Sequence, residues 1–179
     1  MTPLPPPAPE NLYLADHVAL LRRNLHVLTG QNLIPGNLTD AEVAEAIFHA
    51  PFVLLSHNTE PDPILTYGNR QTMALFELTW NALTTMPSRL TAEAPNREER
   101  ARLLAAVATK GFIDDYAGIR ISSSGRRFQI EKATGSRSQA RNFTAPFGAG
   151  FKTKFVVSSR PWNNSWSRYK ASASVPTSA

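Results

Sequence analysis

The sequence predicts an α+β protein: an antiparallel sheet with helices packed on one face, preceded by two N-terminal helices. Three observations carry this. Apolar residues recur at helical spacing through residues 11–49, two short apolar runs follow at 52–55 and 64–67, and the period changes to two over 119–130. Helical segments grouped between two pairs of extended runs favour an antiparallel sheet over a parallel one.

The elements follow in order. Pro3, Pro5, Pro6, Pro7 and Pro9 make residues 1–10 a proline-rich, extended leader. Leu14, Val18, Leu21, Leu25 and Leu28 mark a first helix over 11–28, with Gly30 as its stop. A second helix opens at Thr39, whose hydroxyl and Glu42 are spaced as a capping box, and buries Val43, Ala46 and Ile47. After Pro51 the run 52–55 reads as a strand, and 64–67 as the next. Gly68 then turns the chain, and Asn69 is a good N-cap for a helix carrying Met73, Phe76 and Trp80. Asn96 and Glu99 repeat the cap spacing before a helix with Leu103, Leu104 and Val107, stopped at Gly111. Finally Ile119, Ile121, Phe128 and Ile130 alternate with Arg120, Arg127, Gln129 and Glu131 about a Ser123-Ser124-Gly125 turn, a hairpin with one buried face.

Composition narrows the chemistry. With 179 residues, 42% hydrophobic and 18% charged, the chain suits a single globular core. No apolar run reaches the ~20 residues of a membrane span, and the N-terminus lacks the basic and apolar stretches of a secretory signal. A cytoplasmic location is therefore expected. Cysteine is absent, which rules out disulfides, thiolate metal sites, cysteine nucleophiles and a cysteinyl-flavin adduct. The net charge of +5 conceals a split. Residues 1–131 carry 11 Lys and Arg against all 14 acids, a net of −3, whereas residues 132–179 carry 8 Lys and Arg and no acid, a net of +8.

Four motifs, SHNTEPDPILTYGNRQTMALFE (56–77), MPSRLTAE (86–93), REERARLL (97–104) and KGFIDDYAGIRISSSGRRFQIEKAT (110–134), resemble the MEKHLA domain, a relative of the PAS sensory fold. The resemblance is dense over residues 50–134, and the helices of 11–49 resemble the N-terminal part of stand-alone members. It implies a PAS-like sheet of five antiparallel strands, with ligands, where present, between the sheet and the helices. On this reading 52–57 and 64–67 are the first two strands, and 112–122 and 126–134 the third and fourth.

The fifth strand is the weak point. After Thr134 the family's tryptophan-containing strand and final Gly-Gln-Ala-Ala segment are missing, at the place where acids vanish. A shifted reading frame would produce this divergent C-terminus. In PAS topology the last strand lies between the first and the fourth, so its loss would leave buried edges unpaired. Residues 151–157, FKTKFVV, have strand periodicity and are the candidate substitute; the remainder of 135–179 is basic, Ser-rich and expected to be largely disordered.

The candidate ligand-binding residues are Tyr67, Asn69, Arg70, Phe76, Trp80 and Tyr116. Asn69 and Arg70 would grip a polar group at the strand-to-helix corner; the plainer alternative is that Asn69 caps the helix and Arg70 pairs with Glu60 or Asp62. The aromatic residues, with Phe112, would wall a planar ligand or simply fill the core. His57, Glu60 and Asp62 do not suffice for a metal site, since Pro61 and Pro63 explain the segment as a rigid connector. Residues 69–110 hold no histidine to ligate a haem. Arg120, Arg126 and Arg127 read as solvated strand arginines, although SSSGRR has the donors to hold an anion at its turn. No catalytic constellation is recognisable, no metal is expected, and no cofactor is specified.

The function implied is a PAS-like sensory or interaction domain binding an unidentified small molecule or partner protein in signalling, with homodimerisation through Val18, Leu21 and Leu25 or packing of that stripe on the sheet as alternatives. A small enzyme acting on a metabolite is the rival. Nonspecific nucleic-acid binding by the basic tail is a third reading, which truncation after Thr134 would abolish.

Overall fold

The structure, a computed structural model, describes residues 4–58, 60–92, 109, 112–136 and 151–152, and through the backbone alone at 112–116, 131–133, 135–136 and 151–152. The predicted helix over Leu103, Leu104 and Val107 lies outside the described residues, as does the tail apart from 151–152.

A short 3-10 segment, Pro9–Leu14, precedes α1 (Ala15–Thr29) and α2 (Asp40–His49). The first helix starts four residues later than its apolar spacing predicts, because Leu12, Tyr13 and Leu14 adopt left-handed backbone with φ of 51°, 52° and 60°. Tyr13 is anchored there between rings of α2, 5.6 Å from Phe48 and 5.7 Å from His49. Gly30, at φ 70°, ends α1 by donating its N–H to the His26 carbonyl at 2.8 Å. Thr39 and Glu42 form the capping box, with Glu42 accepting the Thr39 N–H at 2.8 Å.

The extended part has β1 (Leu55–Asn58) antiparallel to β2 (Leu65–Gly68), with Ser56 opposite Tyr67. The first strand begins later than expected for a physical reason. Both backbone groups of Leu54 bond to the Asn69 corner instead of a ladder. The helix predicted to run from Asn69 through Trp80 is two: α3 (Arg70–Phe76) and α4 (Trp80–Leu83). Glu77 separates them at φ 57°, and the Thr79 hydroxyl restarts the second by accepting the Ala82 N–H. The hairpin is β3 (Phe112–Ile121) with β4 (Arg127–Ser136). β5 (Phe151–Lys152) pairs antiparallel with β1, Lys152 opposite His57 and Phe151 opposite Asn58, so two residues of the candidate substitute strand meet the first strand, while among the described residues no ladder joins them to β4. Among the described residues the ladders form two sheets, ordered β2-β1-β5 and β3-β4.

Two apolar clusters pack about β1 and β2. In the first Leu54, Tyr67 and Trp80 meet Val18, Leu21 and Leu25 of α1 and Val43, Ala44 and Ile47 of α2. In the second, Val53, Leu55 and Leu65 meet Phe76, Leu78, Leu83 and Ile130. α1 and α2 thus pack in the first cluster and the hairpin in the second, while α4 contributes to both, Trp80 to the first and Leu83 to the second. The α1 stripe lies inside the chain, at 0%, 1% and 3% exposure for Val18, Leu21 and Leu25. The leader is tied to the same layer, for the Trp80 indole donates to the Leu4 carbonyl at 2.8 Å. Among the described residues no helix is long and apolar enough to cross a membrane.

Candidate functional site

The corner between β2 and α3 is built from three consecutive residues. Gly68 is required by space: a Cβ there would lie 2.6 Å from Leu83 Cδ1 and 3.0 Å from Thr72 Cγ2. Asn69 is fully buried. Its Nδ2 donates to the carbonyls of Phe52 at 2.7 Å and Ile47 at 3.1 Å, while its Oδ1 accepts the N–H groups of Leu54 and Thr72, both at 3.1 Å. Both donors and both lone pairs of the carboxamide are therefore engaged by the chain itself. Arg70 is exposed and lies 3.3 Å from His49 Nδ1. Asp62, one of the partners expected for Arg70, pairs instead with Arg89 at 3.1 Å.

The aromatic candidates do not form one wall. Phe76 belongs to the packed apolar cluster formed by β1, β2, α3, α4 and Ile130, edge-on to Phe128 at 5.1 Å. Tyr67 and Trp80 belong to the other cluster, with α1 and α2, and meet edge to face at 6.0 Å. Tyr116 pairs with Ala133 through its backbone, and its side chain lies outside the described residues.

A polar seam that sequence reasoning missed runs beneath α1. His17 Nε2 lies 3.0 Å from the Ser56 hydroxyl, which is 2.9 Å from the Thr66 hydroxyl. The imidazole stacks on Tyr67 at 5.5 Å, and burial pushes its pKa down to about 4. The Tyr67 hydroxyl is buried and has no hydrogen-bond partner among the described residues, and burial raises its pKa. The signal for His17 was its position four residues before Leu21, on the apolar stripe itself. An open cavity of about 150 Å³ lies beside it under the N-terminal segment, lined by Leu4, Asn11, Leu12, Leu14, Ala15, Asp16 and His17.

A second cluster joins the hairpin turn to the end of α3. The Ser124 hydroxyl donates to Glu77 Oε2, and Arg126 Nε donates to Oε1 at 3.0 Å. The hydroxyls of Ser124 and Ser122 and the Arg126 guanidinium lower the Glu77 pKa to about 2. The turn does hold an anion, and it is the protein's own carboxylate. The hairpin arginines are thus not uniformly solvated: Arg126 is engaged by Glu77, Arg127 is exposed, and Arg120 is only 5% exposed, with its guanidinium donating to the Ile119 carbonyl at 3.1 Å. Ala92, at the end of the 3-10 segment Ser88–Thr91, forms an antiparallel backbone bridge with Arg120.

Chemically, the Phe76 cluster offers apolar contact, while the Asn69 carboxamide beside it is held by backbone partners. Small antiparallel sheets with helices packed against them in two apolar clusters define a PAS-like α+β module. The family model described as the MEKHLA domain matches residues 15–135, and the chain belongs to that family. The match takes in both N-terminal helices and ends beside Thr134, where the motifs stop. Among solved structures, a fungal LOV-domain photoreceptor is similar with a TM-score of 0.52 at 12% identity, over 80% of this chain and 92% of that one. An RNA-binding light-oxygen-voltage receptor is similar with a TM-score of 0.50 at 20% identity over 70% of this chain. The chain spans 34% of that receptor's length. A PAS domain from Colwellia psychrerythraea also matches, at a TM-score of 0.49 and 14% identity, over 66% of this chain and 97% of that domain. No curated protein matches the sequence.

Proposed function

We propose that the protein is a sensory module that takes up a small apolar molecule between the sheet and α3–α4 and passes the effect to a partner protein. The observation supporting this is the chemistry of the chamber wall. Leu55, Leu65, Phe76, Leu83 and Ile130 form it, with the adaptable side chains of Met73 and Met86 packed against them. Catalysis would need convergent polar groups free to meet a substrate. Here the Asn69 carboxamide is taken up by the backbone, His57 Nδ1 is 2.7 Å from the Asn58 carbonyl, and Glu60 and Arg70 are exposed. These placements favour sensing over an enzyme.

A second reading, an interaction module with a closed chamber, is favoured by the burial of Phe76, Leu83 and Ile130, which are 3%, 0% and 1% exposed. Native mass spectrometry and an absorption spectrum of the purified protein separate the two. A copurifying apolar molecule, or saturable uptake of an apolar dye that a Leu83→Arg substitution abolishes, is expected for the sensor. A bare chain that takes up no dye would leave the interaction module.

A further inference from the structure

We propose that the turn of residues 122–126 is an exchangeable oxyanion site, occupied in this structure by the Glu77 carboxylate and able to take the phosphate group of a small phosphate monoester in its place. The donors come from one five-residue turn. Ser124 and Arg126 bond to the two carboxylate oxygens, and the Ser122 hydroxyl, 3.1 Å from that of Ser124, is fixed by accepting the Arg126 N–H at 3.1 Å. Gly125, at φ 85°, lets the turn fold back this tightly.

The site persists when the carboxylate leaves. Three further bonds dock the turn on the end of α3 without using the Glu77 side chain. Ser123 N–H donates to the Phe76 carbonyl at 2.9 Å, the Ser123 hydroxyl to the Glu77 carbonyl at 2.7 Å, and Arg126 Nη2 to the Leu75 carbonyl at 2.9 Å. Exchange is also accessible. The Arg126 and Glu77 side chains are 48% and 36% exposed, so the pair is screened by water and weak. A phosphate dianion forms stronger charge-assisted bonds to the same donors. Moreover, Glu77 sits in left-handed backbone that suits glycine better than any branched or long side chain, so its carboxylate is the reason a glutamate fits there.

Exchange would be felt at the chamber. The Arg126 guanidinium lies 5.7 Å from the Phe128 ring centre, and Phe128 packs on Phe76. The site itself does not rest on the chamber's having a ligand, so the two ideas fail separately.

The test is a titration of full-length wild type, Glu77→Gln, Glu77→Gly and Arg126→Gln with inorganic phosphate and, in a second arm, glycerol phosphate, at constant ionic strength. Amide shifts across residues 122–126 and the Arg126 Nε–H are followed by NMR. Glu77→Gly keeps the left-handed turn and guards against a Glu77→Gln variant that fails to fold. Saturable shifts confined to the turn, about fivefold tighter in either emptied variant than in wild type and lost in Arg126→Gln, are expected. Tighter binding of glycerol phosphate would identify an esterified phosphate as the ligand. Shifts that do not saturate in both emptied variants, or that survive Arg126→Gln, would overturn the proposal.

Discussion

Asn69 and Leu54 hold each other by both backbone groups of Leu54: Asn69 Oδ1 accepts the Leu54 N–H at 3.1 Å, and the Leu54 carbonyl accepts the Asn69 N–H at 3.1 Å. The Thr72 hydroxyl donates to the same carbonyl at 2.7 Å. One buried side chain thus joins the end of α2, the entry to β1 and the first turn of α3.

Replacing Asn69 therefore strikes the fold before any ligand. Asn69→Asp sets a carboxylate oxygen against the carbonyls of Ile47 and Phe52, where two N–H donors now stand. Loss of about 3–5 kcal/mol is expected from several unsatisfied buried groups. Urea unfolding of Asn69→Asp and Asn69→Ala measures it; a change below about 1 kcal/mol in both would show that water substitutes for the side chain.

Gly68→Ala tests the close approach at the same corner. The added Cβ meets Leu83 Cδ1 at 2.6 Å, and Leu83 is fully buried, so the core must shift. A loss of about 1–3 kcal/mol is expected, the usual range for overpacking. A Leu83→Ala, Gly68→Ala double variant makes room, and its stability should lie above the sum of the two single losses. Strict additivity would count against the contact.

How much of this was legible follows the kind of signal. The caps at Thr39 and Asn69, the stop at Gly30 and the hairpin alternation are local, because a hydroxyl or carboxamide three residues from an amide specifies its own bond. The division of Tyr67 and Phe76 between the two apolar clusters was not legible. It depends on the bulge that breaks the register between Ser56 and His57, and on α3 ending at Glu77. The break at Glu77 was hidden because a glutamate normally favours a helix. The helix ends in local bonds, with the Leu78 N–H donating to the Met73 carbonyl at 2.9 Å, and the Glu77 carboxylate is held from some fifty residues away by Arg126. Likewise Arg120 carries the alternation of an exposed strand face, yet it is buried, and its backbone bridges to the distant segment at Ala92.

Tyr67→Phe removes a hydroxyl that is buried with no hydrogen-bond partner among the described residues, while keeping the ring between His17 and Trp80. The substitution should leave stability unchanged or raise it by about 1 kcal/mol, since a desolvated polar group is deleted and no bond is lost. Thermal unfolding checks this. Destabilisation by more than about 1 kcal/mol would mean that a buried water or ligand satisfies the hydroxyl in solution, and would direct attention to the α1 layer as a binding site.

The His17 imidazole links the same layer to pH. Burial lowers its pKa from 6.5 to about 4, and the groups around it on β1 and β2, the Ser56 and Thr66 hydroxyls and the Tyr67 ring, are neutral at these pH values. Asp16, beside it in sequence, is exposed. Between those two pKa values the unfolded chain binds a proton at this position and the folded one does not. The stability contributed by keeping the ring neutral is therefore fully present above about pH 6.5 and declines as pH falls toward about 4. By pH 4.5 the loss should be about 2 kcal/mol, trimmed where water reaches the ring. His17→Gln retains a donor toward Ser56 without titrating in this range. Urea unfolding at pH 7.5 and 4.5 should show wild type losing about 2 kcal/mol more than the variant on acidification, because other titrating groups are common to both. Equal losses would place the proton elsewhere and detach α1 docking from pH.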